Sequence, residues 1–116
     1  MSQEPCVFCR IAKREMPAEI VEESDGLIAL KDLNPKAPVH LLIVPTEHIP
    51  TLADASERHT LLLGHATQFA NRLAKRFHLL PGGYRLIVNC GSDAGQTVWH
   101  LHWHVMGGRS LGWPPG

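Results

Sequence analysis

The 116-residue sequence has no excess of charge of either sign, because 11 lysines and arginines are balanced by 11 aspartates and glutamates. A net charge of zero, with a pI near 7.1, excludes the basic surface expected of a general nucleic-acid or membrane-surface binder. Charged residues make up 19% of the chain and hydrophobic residues 44%, a balance typical of a folded globular protein. A chain of this length has room for one hydrophobic core, so we expect a single domain over residues 1–116.

Long apolar runs and cysteines are also scarce. A purely apolar run such as residues 41–44 is far shorter than the roughly 18 residues of a membrane-spanning helix. Residues 1–5 contain neither a basic nor an apolar stretch, so we expect no secretory signal. The three cysteines, Cys6, Cys9 and Cys90, do not form the pattern of a secreted disulfide framework. We therefore expect a cytoplasmic protein that binds neither nucleic acid nor membranes.

The hydrophobic spacing predicts one short and one long helix. Residues 6–13 have near-helical apolar spacing and are followed by Met16-Pro17, which predicts a short helix. Between residues 54 and 78, apolar side chains recur at intervals of three and four, with Asp54 or Ser56 as a candidate N-cap. The stripe of this long helix consists of Leu62, Ala66, Phe69, Leu73 and Phe77, and we expect the helix to end at Pro81-Gly82-Gly83.

Five segments have the pattern of β-strands. Residues 20–23 and 27–31 flank Ser24-Asp25-Gly26, which is typical of a hairpin. Residues 40–45 form an apolar run ending at a proline, which indicates a central strand, and residues 84–89 and 98–106 predict two more. We expect an α+β domain in which about five strands are joined by sequential hairpins.

Histidine, by contrast, is abundant, with eight residues in the chain. His100, His102 and His104 alternate with apolar residues, so on a strand the three imidazoles would share one face. The alternating Leu101, Trp103 and Val105 would then face the core. Because aliphatic residues stabilise an exposed strand face better than imidazoles do, this pattern indicates a functional site.

Two kinds of chemistry fit three alternating imidazoles. They can bind zinc and leave one coordination position open for hydrolysis. Alternatively, a neutral imidazole, with its ordinary pKa of about 6.5, is a nucleophile near neutral pH. It would attack phosphorus and form a nucleotidyl-histidine that water then hydrolyses. The residue pattern alone leaves both possibilities open.

The segment Gly95-Gln96-Thr97-Val98-Trp99, followed by His-x-His-x-His with apolar x, resembles the histidine-triad (HIT) family of nucleotide-binding proteins. The similarity extends over nearly the whole chain and is greatest to the Hint branch, the nucleoside phosphoramidases. It implies a five-stranded antiparallel sheet that pairs across a homodimer into a ten-stranded sheet. Further matching stretches are residues 32–40, 83–85, 89–95, 107–109 and 113–116.

The resemblance also implies roles for the catalytic histidines. His102 would be the nucleophile, oriented by a hydrogen bond to the main-chain carbonyl of His100. His104 and His40 would bracket the phosphate. The other phosphate contacts would come from Asn89, the loop around Gly95 and the hydroxyl of Thr97, a position at which many relatives have serine.

The nucleotide itself would be held by further residues that the resemblance identifies. Asp32 would accept both ribose hydroxyls, as a carboxylate can. Trp113 would lie near the active site of the partner subunit and shape the choice of leaving group. The base would occupy an apolar slot formed by Val7, Phe8, Ile11, Leu33 and Leu42.

The Cys6-x-x-Cys9 pair in an intracellular context indicates zinc more readily than a disulfide. Some HIT proteins hold a structural zinc with such a pair, a histidine after the third strand and the first histidine of the triad. The matching residues here are Cys6, Cys9, His48 and His100. Catalysis would need only the backbone carbonyl of His100, so we expect a possible structural zinc and no catalytic cofactor.

Together, these features predict hydrolysis of the P–N bond of purine nucleoside 5′-phosphoramidates to a nucleoside monophosphate and an amine. One alternative is a dinucleoside polyphosphate hydrolase or nucleotidyl transferase with the same fold. Another is a nucleotide-binding regulatory module without catalysis. A third is zinc-dependent hydrolysis by the triad itself.

Overall fold

The computed structural model describes residues 6–116, and in this part of the chain five antiparallel strands form one sheet. The order across the sheet is β1-β2-β3-β5-β4. This confirms the predicted α+β class with a five-stranded antiparallel sheet. The strands are β1 (Ile20–Ser24), β2 (Leu27–Lys31), β3 (Val39–Pro45), β4 (Tyr84–Ile87) and β5 (Trp103–Gly107).

The hairpin between β1 and β2 forms as predicted. Its turn residues Asp25 and Gly26 have φ angles of 48° and 80°. Positive φ at both central residues is the geometry of the tight turn that matches the twist of two antiparallel strands. The predicted central strand is also confirmed, because β3 pairs with β2 on one side and β5 on the other, and most of its residues are buried.

The expectation of sequential hairpins is wrong for the connection from β3 to β4, whereas the consecutive strands β4 and β5 do pair. β3 pairs with β5, and β4 lies outside β5 at the edge. The chain leaves β3, crosses the sheet as a long helix and returns at the far edge, so β5 fills the gap between β3 and β4. Alternating hydrophobicity identifies each strand but does not specify its neighbour when the connection is long.

Helix α2 (Thr60–Arg76) covers one face of the sheet. Ala66, Phe69 and Leu73 of the predicted stripe are fully buried, and Leu62 and Phe77 are partly buried. They pack on alternate strand residues, which include Leu41, Ile43, Trp103 and Val105. Burial of this stripe provides most of the main core.

Both ends of α2 differ from the prediction. Two 3-10 turns, Leu52–Asp54 and Glu57–His59, precede it, with Thr51 and Ser56 at their N-caps. Asp54 is therefore not the N-cap of α2. Its carboxylate instead accepts a hydrogen bond from the Thr51 amide, 3.1 Å away. The helix ends at Arg76, and His78 already has a φ of 61°, which breaks helical geometry before the predicted stop.

Helix α1 (Val7–Ala12) packs on the opposite face of the sheet and confirms the predicted short helix. Its buried residues Phe8 and Ile11 contact a second cluster that includes Leu30 and Leu42. No helix within residues 6–116 is long and apolar enough to cross a bilayer.

Candidate active site

The three triad histidines occupy different environments. Only His104 lies within β5, which begins at Trp103 and not near residue 98 as predicted. His100 and His102 precede the strand in irregular backbone. His100 is fully buried, so the prediction of three imidazoles on one exposed strand face is wrong. Leu101, Trp103 and Val105 do face the main core, as predicted.

His102 has its tautomer fixed by the backbone. Its Nδ1 lies 2.7 Å from the carbonyl oxygen of His100, which can only accept a hydrogen bond, so Nδ1 carries the hydrogen. The opposite nitrogen, Nε2, is left with a free lone pair. Burial lowers the pKa of His102 below its ordinary 6.5, against the raising effects of the His100 carbonyl and Asp32. The ring is therefore neutral at neutral pH and chemically able to act as a nucleophile.

His40 and His104 are joined by a hydrogen bond. The register places Leu42 opposite His104, and His40 two residues along the same face, diagonal to it. The His40 Nε2 and His104 Nδ1 atoms are 2.9 Å apart. Burial lowers the pKa of both rings, that of His104 to about 4, which keeps this pair uncharged at neutral pH.

Asp32 lies at the end of this pair. Its Oδ2 is 3.4 Å from His40 Nε2, and its Oδ1 accepts the Asn34 amide at 2.8 Å. The same carboxylate borders a cavity of about 250 Å³ between α1 and the sheet. All five residues predicted for the apolar slot line this cavity: Val7, Phe8, Ile11, Leu33 and Leu42. An apolar cavity bordered by a carboxylate is chemically suited to a flat ring that carries a group with several hydroxyls, because the ring fits the apolar walls and the hydroxyls can donate to the carboxylate.

The other residues predicted to contact the phosphate lie in the segment between β4 and β5. β4 pairs Ile87 with His104, and Asn89 follows two residues after that pair. Gly95, with a φ of 91°, and Thr97 are both exposed in this loop. Gly95 ends a 3-10 turn over Ser92–Ala94, where its left-handed backbone favours glycine.

The predicted leaving-group residue, Trp113, lies apart from the cavity. Its side chain is 83% exposed, and it is not among the residues that line the cavity. The tail is attached to the sheet just before it, because Arg85 of β4 donates to the Gly112 carbonyl at 2.7 Å.

Three residues to which the sequence analysis assigned no role help to build the site. Gln96 is buried and holds the loop by accepting the Gly91 amide at 2.8 Å and donating to the Pro50 and Val98 carbonyls at 2.8 and 3.1 Å. The Lys36 amide donates to His40 Nδ1 at 3.0 Å, and Arg109 donates to the Lys36 carbonyl at 2.8 Å. All three residues lie in the motifs that carry the HIT resemblance, but Gln96 and Arg109 act through the distant carbonyls of Pro50 and Lys36, which sequence spacing does not identify.

The structure brings Cys6, Cys9, His48 and His100 together beside the triad, with their ligand atoms within 4.8 Å of one another. The Cys6 Sγ–His100 Nδ1, Cys9 Sγ–His48 Nδ1 and His48 Nδ1–His100 Nδ1 distances are each 3.2 Å. Donor atoms in a tetrahedral zinc site lie roughly 3.3–3.8 Å apart, so the cluster is close to that geometry.

The orientation of His100 also fits a metal. Its Nε2 donates to the Pro45 carbonyl at 2.8 Å, which leaves the Nδ1 lone pair directed at the two cysteines and His48. Burial lowers the pKa of His100 to about 4, so the ring is neutral, as a metal ligand must be. A histidine whose second nitrogen donates to a carbonyl is the usual arrangement at zinc sites. The donor set therefore fits zinc.

Comparison with known proteins gives consistent matches over almost the whole chain. A family model described as "Scavenger mRNA decapping enzyme C-term binding" matches residues 5–112. An uncharacterised HIT-like protein of Synechococcus elongatus is 46% identical over 113 residues, which cover 97% of this chain and 98% of that protein.

Solved structures agree with the sequence matches. A HIT family hydrolase from Legionella pneumophila is 44% identical, with a TM-score of 0.93 and coverage of 96% of this chain and 99% of that chain. A zinc-bound histidine triad family protein from Mycobacterium smegmatis is 30% identical, with a TM-score of 0.77 and coverage of 90% of this chain and 76% of that chain.

Proposed function

Because this chain belongs to the histidine-triad family and shares the fold of HIT family hydrolases, we propose that it cleaves the P–N bond of purine nucleoside 5′-phosphoramidates. The products are a nucleoside monophosphate and an amine. The observation that supports this proposal most is the hydrogen bond from His102 Nδ1 to the His100 carbonyl. This bond leaves a neutral imidazole with an unshared lone pair, and its ring lies 5.1 Å from the ring of Phe8, which lines a cavity suited to a nucleoside.

In the proposed reaction, His102 Nε2 attacks the α-phosphorus. A bond forms between nitrogen and phosphorus, the P–N bond of the substrate breaks, and the amine leaves after taking up a proton from solvent. Water then attacks the phosphorus of the nucleotidyl-histidine and gives up a proton to solvent, which releases the monophosphate and returns His102 to its neutral form. Division into two displacements replaces one difficult step with two easier ones.

The remaining residues act on the parts of the substrate that do not react. Asp32 accepts hydrogen bonds from the ribose hydroxyls, and the apolar slot holds the base. His104, Asn89, Gly95 and Thr97 surround the phosphate and stabilise the charge on its oxygens as the bonds change. The Asn34 amide holds Asp32 and the His40 ring holds His104 before substrate binds, so these two groups need little reorganisation during the reaction.

We propose a structural role for the cluster of Cys6, Cys9, His48 and His100, with zinc as its ligand. Zinc there would hold α1, the loop after β3 and the segment before β5 together. The catalytic step takes only the backbone carbonyl of His100, so the same residue serves the metal with its side chain and His102 with its backbone.

The test is hydrolysis of adenosine 5′-phosphoramidate at neutral pH by wild type and His102→Ala, each with and without a metal chelator. We expect turnover to fall by roughly a thousandfold or more in the variant, because the nucleophile is lost. Wild-type turnover should be unaffected by brief exposure to chelator. His65→Ala, which removes an exposed histidine of α2, is the matched control and should retain full activity.

Other outcomes would point to the alternatives. Turnover that survives in His102→Ala but disappears with chelator would make the triad a catalytic metal site. Faster cleavage of dinucleoside polyphosphates than of phosphoramidates would favour the polyphosphate hydrolase. Nucleotide binding without any turnover by wild type would favour a regulatory module.

A further inference from the structure

We infer that Arg109 is a positioning residue for the proposed reaction: by holding Lys36, it determines which ring nitrogens of His40 and His104 carry hydrogen. The inference builds on the proposed function, since it concerns how the phosphate-binding histidine is prepared for substrate. It rests on a continuous series of hydrogen bonds that begins at the exposed Arg109, two residues beyond β5, and ends inside the site.

The series starts at the Arg109 side chain. Its Nη2 donates to the Lys36 carbonyl at 2.8 Å, and its Nη1 donates to the Ser110 carbonyl at 2.9 Å. The Lys36 amide donates to His40 Nδ1 at 3.0 Å. Lys36 is thus held at its carbonyl by Arg109 and at its amide by His40, and these two contacts fix its orientation in the loop between β2 and β3.

Donor and acceptor rules then settle the two tautomers. A backbone amide only donates, so His40 Nδ1 must have its lone pair free to accept, and the hydrogen of the neutral ring is on Nε2. That Nε2–H donates to His104 Nδ1, 2.9 Å away, so the hydrogen of neutral His104 is also on Nε2. The reverse assignment would place the Nδ1–H of His40 against the Lys36 amide, with two donors facing each other.

The packing of the loop supports the same connection independently. Gly108, beside Arg109, has a φ of 96°, and a Cβ built on it would lie 2.9 Å from the Pro38 Cβ. The Gly107-Gly108-Arg109 turn therefore packs directly on the loop that contains Lys36. An alanine at position 108 would push the two segments apart and strain the backbone.

The consequence for the site is a division of roles between neighbouring imidazoles. His104 presents an N–H donor, which can bind a phosphate oxygen, whereas His102 presents a lone pair, which can attack phosphorus. If Lys36 were free to turn away, only the longer contact of His40 Nε2 with Asp32 Oδ2, at 3.4 Å, would favour a hydrogen on that nitrogen, and the donor on His104 would no longer be fixed. A lone pair facing the phosphate oxygens would repel them.

The experiment measures the tautomers in the protein without substrate. Side-chain ¹⁵N NMR spectra distinguish protonated from unprotonated ring nitrogens of His40 and His104 in wild type, Arg109→Ala and Arg109→Lys. We expect a single Nε2–H tautomer for both rings in wild type and a mixture in Arg109→Ala. Arg109→Lys should restore most of the wild-type pattern, because an ammonium group can still donate to the Lys36 carbonyl.

Kinetics provide the second readout. We expect kcat for adenosine 5′-phosphoramidate to fall by roughly ten- to a hundredfold in Arg109→Ala, with a smaller change in KM, and to recover partly in Arg109→Lys. The matched control is Arg76→Ala, because Arg76 is another arginine with an exposed side chain that donates to a backbone carbonyl, that of Val21, 2.7 Å away. It lies on α2, and its loss should leave kcat unchanged.

Unchanged His40 and His104 tautomers in Arg109→Ala would overturn the inference, whatever happens to turnover. An equal fall in kcat in Arg76→Ala would also overturn it, since the effect would then be one of general stability. Absence of phosphoramidate hydrolysis in wild type would instead contradict the proposed function. The NMR measurement would still decide the inference about Arg109 in that case, because it needs no substrate.

Discussion

The carbonyl oxygens of Pro45 and His100 accept hydrogen bonds from triad histidines, and the amide of Lys36 donates to His40. A backbone carbonyl can only accept a hydrogen bond and a backbone amide can only donate one. Each of these groups therefore fixes which nitrogen of the neighbouring imidazole carries the hydrogen. Residues of one type, spaced two apart, thereby differ in their free ring nitrogens: a lone pair on His100 Nδ1 beside the cysteines, a lone pair on His102 Nε2 and an N–H donor on His104.

The neutral state of His104 gives a prediction at this scale. Its pKa in the folded protein is about 4, lowered by burial, whereas the unfolded chain has the ordinary value near 6.5. Between these two pH values the unfolded chain binds more protons than the folded protein does. The stability that comes from keeping His104 neutral is therefore fully present above about pH 6.5 and is lost as the pH falls toward 4. We expect the melting temperature of wild type to drop between about pH 7.5 and pH 5.

The control is His104→Gln, which removes the titrating ring but keeps a polar side chain of similar reach. Other acid-sensitive groups, including the Cys6–His100 cluster, are common to both proteins, so the difference between their pH profiles isolates His104. The variant should lose less of its melting temperature over this range. Equal losses in the two proteins would show that His104 does not contribute in this way.

At the residue scale, the sequence identifies which side chains meet but not how they are protonated. The motif residues Asp32, His40 and His104 come together as the HIT resemblance implies. The roles of Gln96 and Arg109 could not be predicted, because each depends on backbone carbonyls far away in the chain, at Pro50 and Lys36.

At the scale of secondary structure, the cluster of Cys6, Cys9, His48 and His100 joins three elements. Cys6 caps the N-terminus of α1, where its Sγ accepts the Cys9 amide at 3.4 Å. His48 follows β3, and His100 precedes β5. Because α1 has only six residues, its position depends on packing and on this cluster more than on intrinsic helix stability.

We therefore predict that the protein, purified without a histidine tag, contains about one zinc per chain. Cys9→Ser should lose most of that zinc and at least roughly 2 kcal/mol of unfolding free energy, because three elements lose their common ligand. Metal analysis and denaturant unfolding measure the two effects. Cys90→Ser is the matched control, since Cys90 is exposed and lies outside the cluster.

A zinc content below about a tenth of an equivalent in wild type would contradict this prediction. Equal stability losses in Cys9→Ser and Cys90→Ser would also contradict it, because only one of these cysteines belongs to the cluster.

The presence of each strand and helix was easier to predict than which strands lie side by side in the sheet. All five strands and both helices lie close to the predicted segments. The errors arise where local pattern competes with long-range contacts: β5 begins only at Trp103, and His100 before it is fully buried, with its ring nitrogens against Cys6 and the Pro45 carbonyl. The position of β5 between β3 and β4 depends on how α2 crosses the sheet, and no short segment contains that information.

At the scale of the whole molecule, several large apolar side chains remain exposed in the single chain. Leu33 is 97% exposed at the mouth of the slot, Trp113 is 83% exposed in the tail, and β4 pairs with a neighbour on one side only. Exposed apolar side chains and an unpaired strand edge are features that a second subunit can cover. We propose that β4 edges pair in a homodimer and that the tail of each subunit reaches the other's site.

Deletion of residues 113–116 tests this arrangement. We expect the deletion to change the order in which phosphoramidates with different amines are hydrolysed, because Trp113 would contact the leaving group. The melting temperature should change little, since an exposed side chain buries almost no surface in its own subunit. The measurement is kcat/KM for a series of amines, with full-length protein as the reference. An unchanged order of preference would exclude a role for the tail in specificity.

In the proposed mechanism His102 becomes covalently bonded to the nucleotide, and mass spectrometry can detect that bond. Wild type is mixed with a slowly hydrolysed adenosine 5′-phosphoramidate, quenched during turnover and examined by intact-mass spectrometry and peptide mapping. We predict a mass increase equal to one adenylate group, located on His102 and absent from His102→Ala. An adduct on another histidine, or steady turnover with no adduct at any quench time, would contradict the claim.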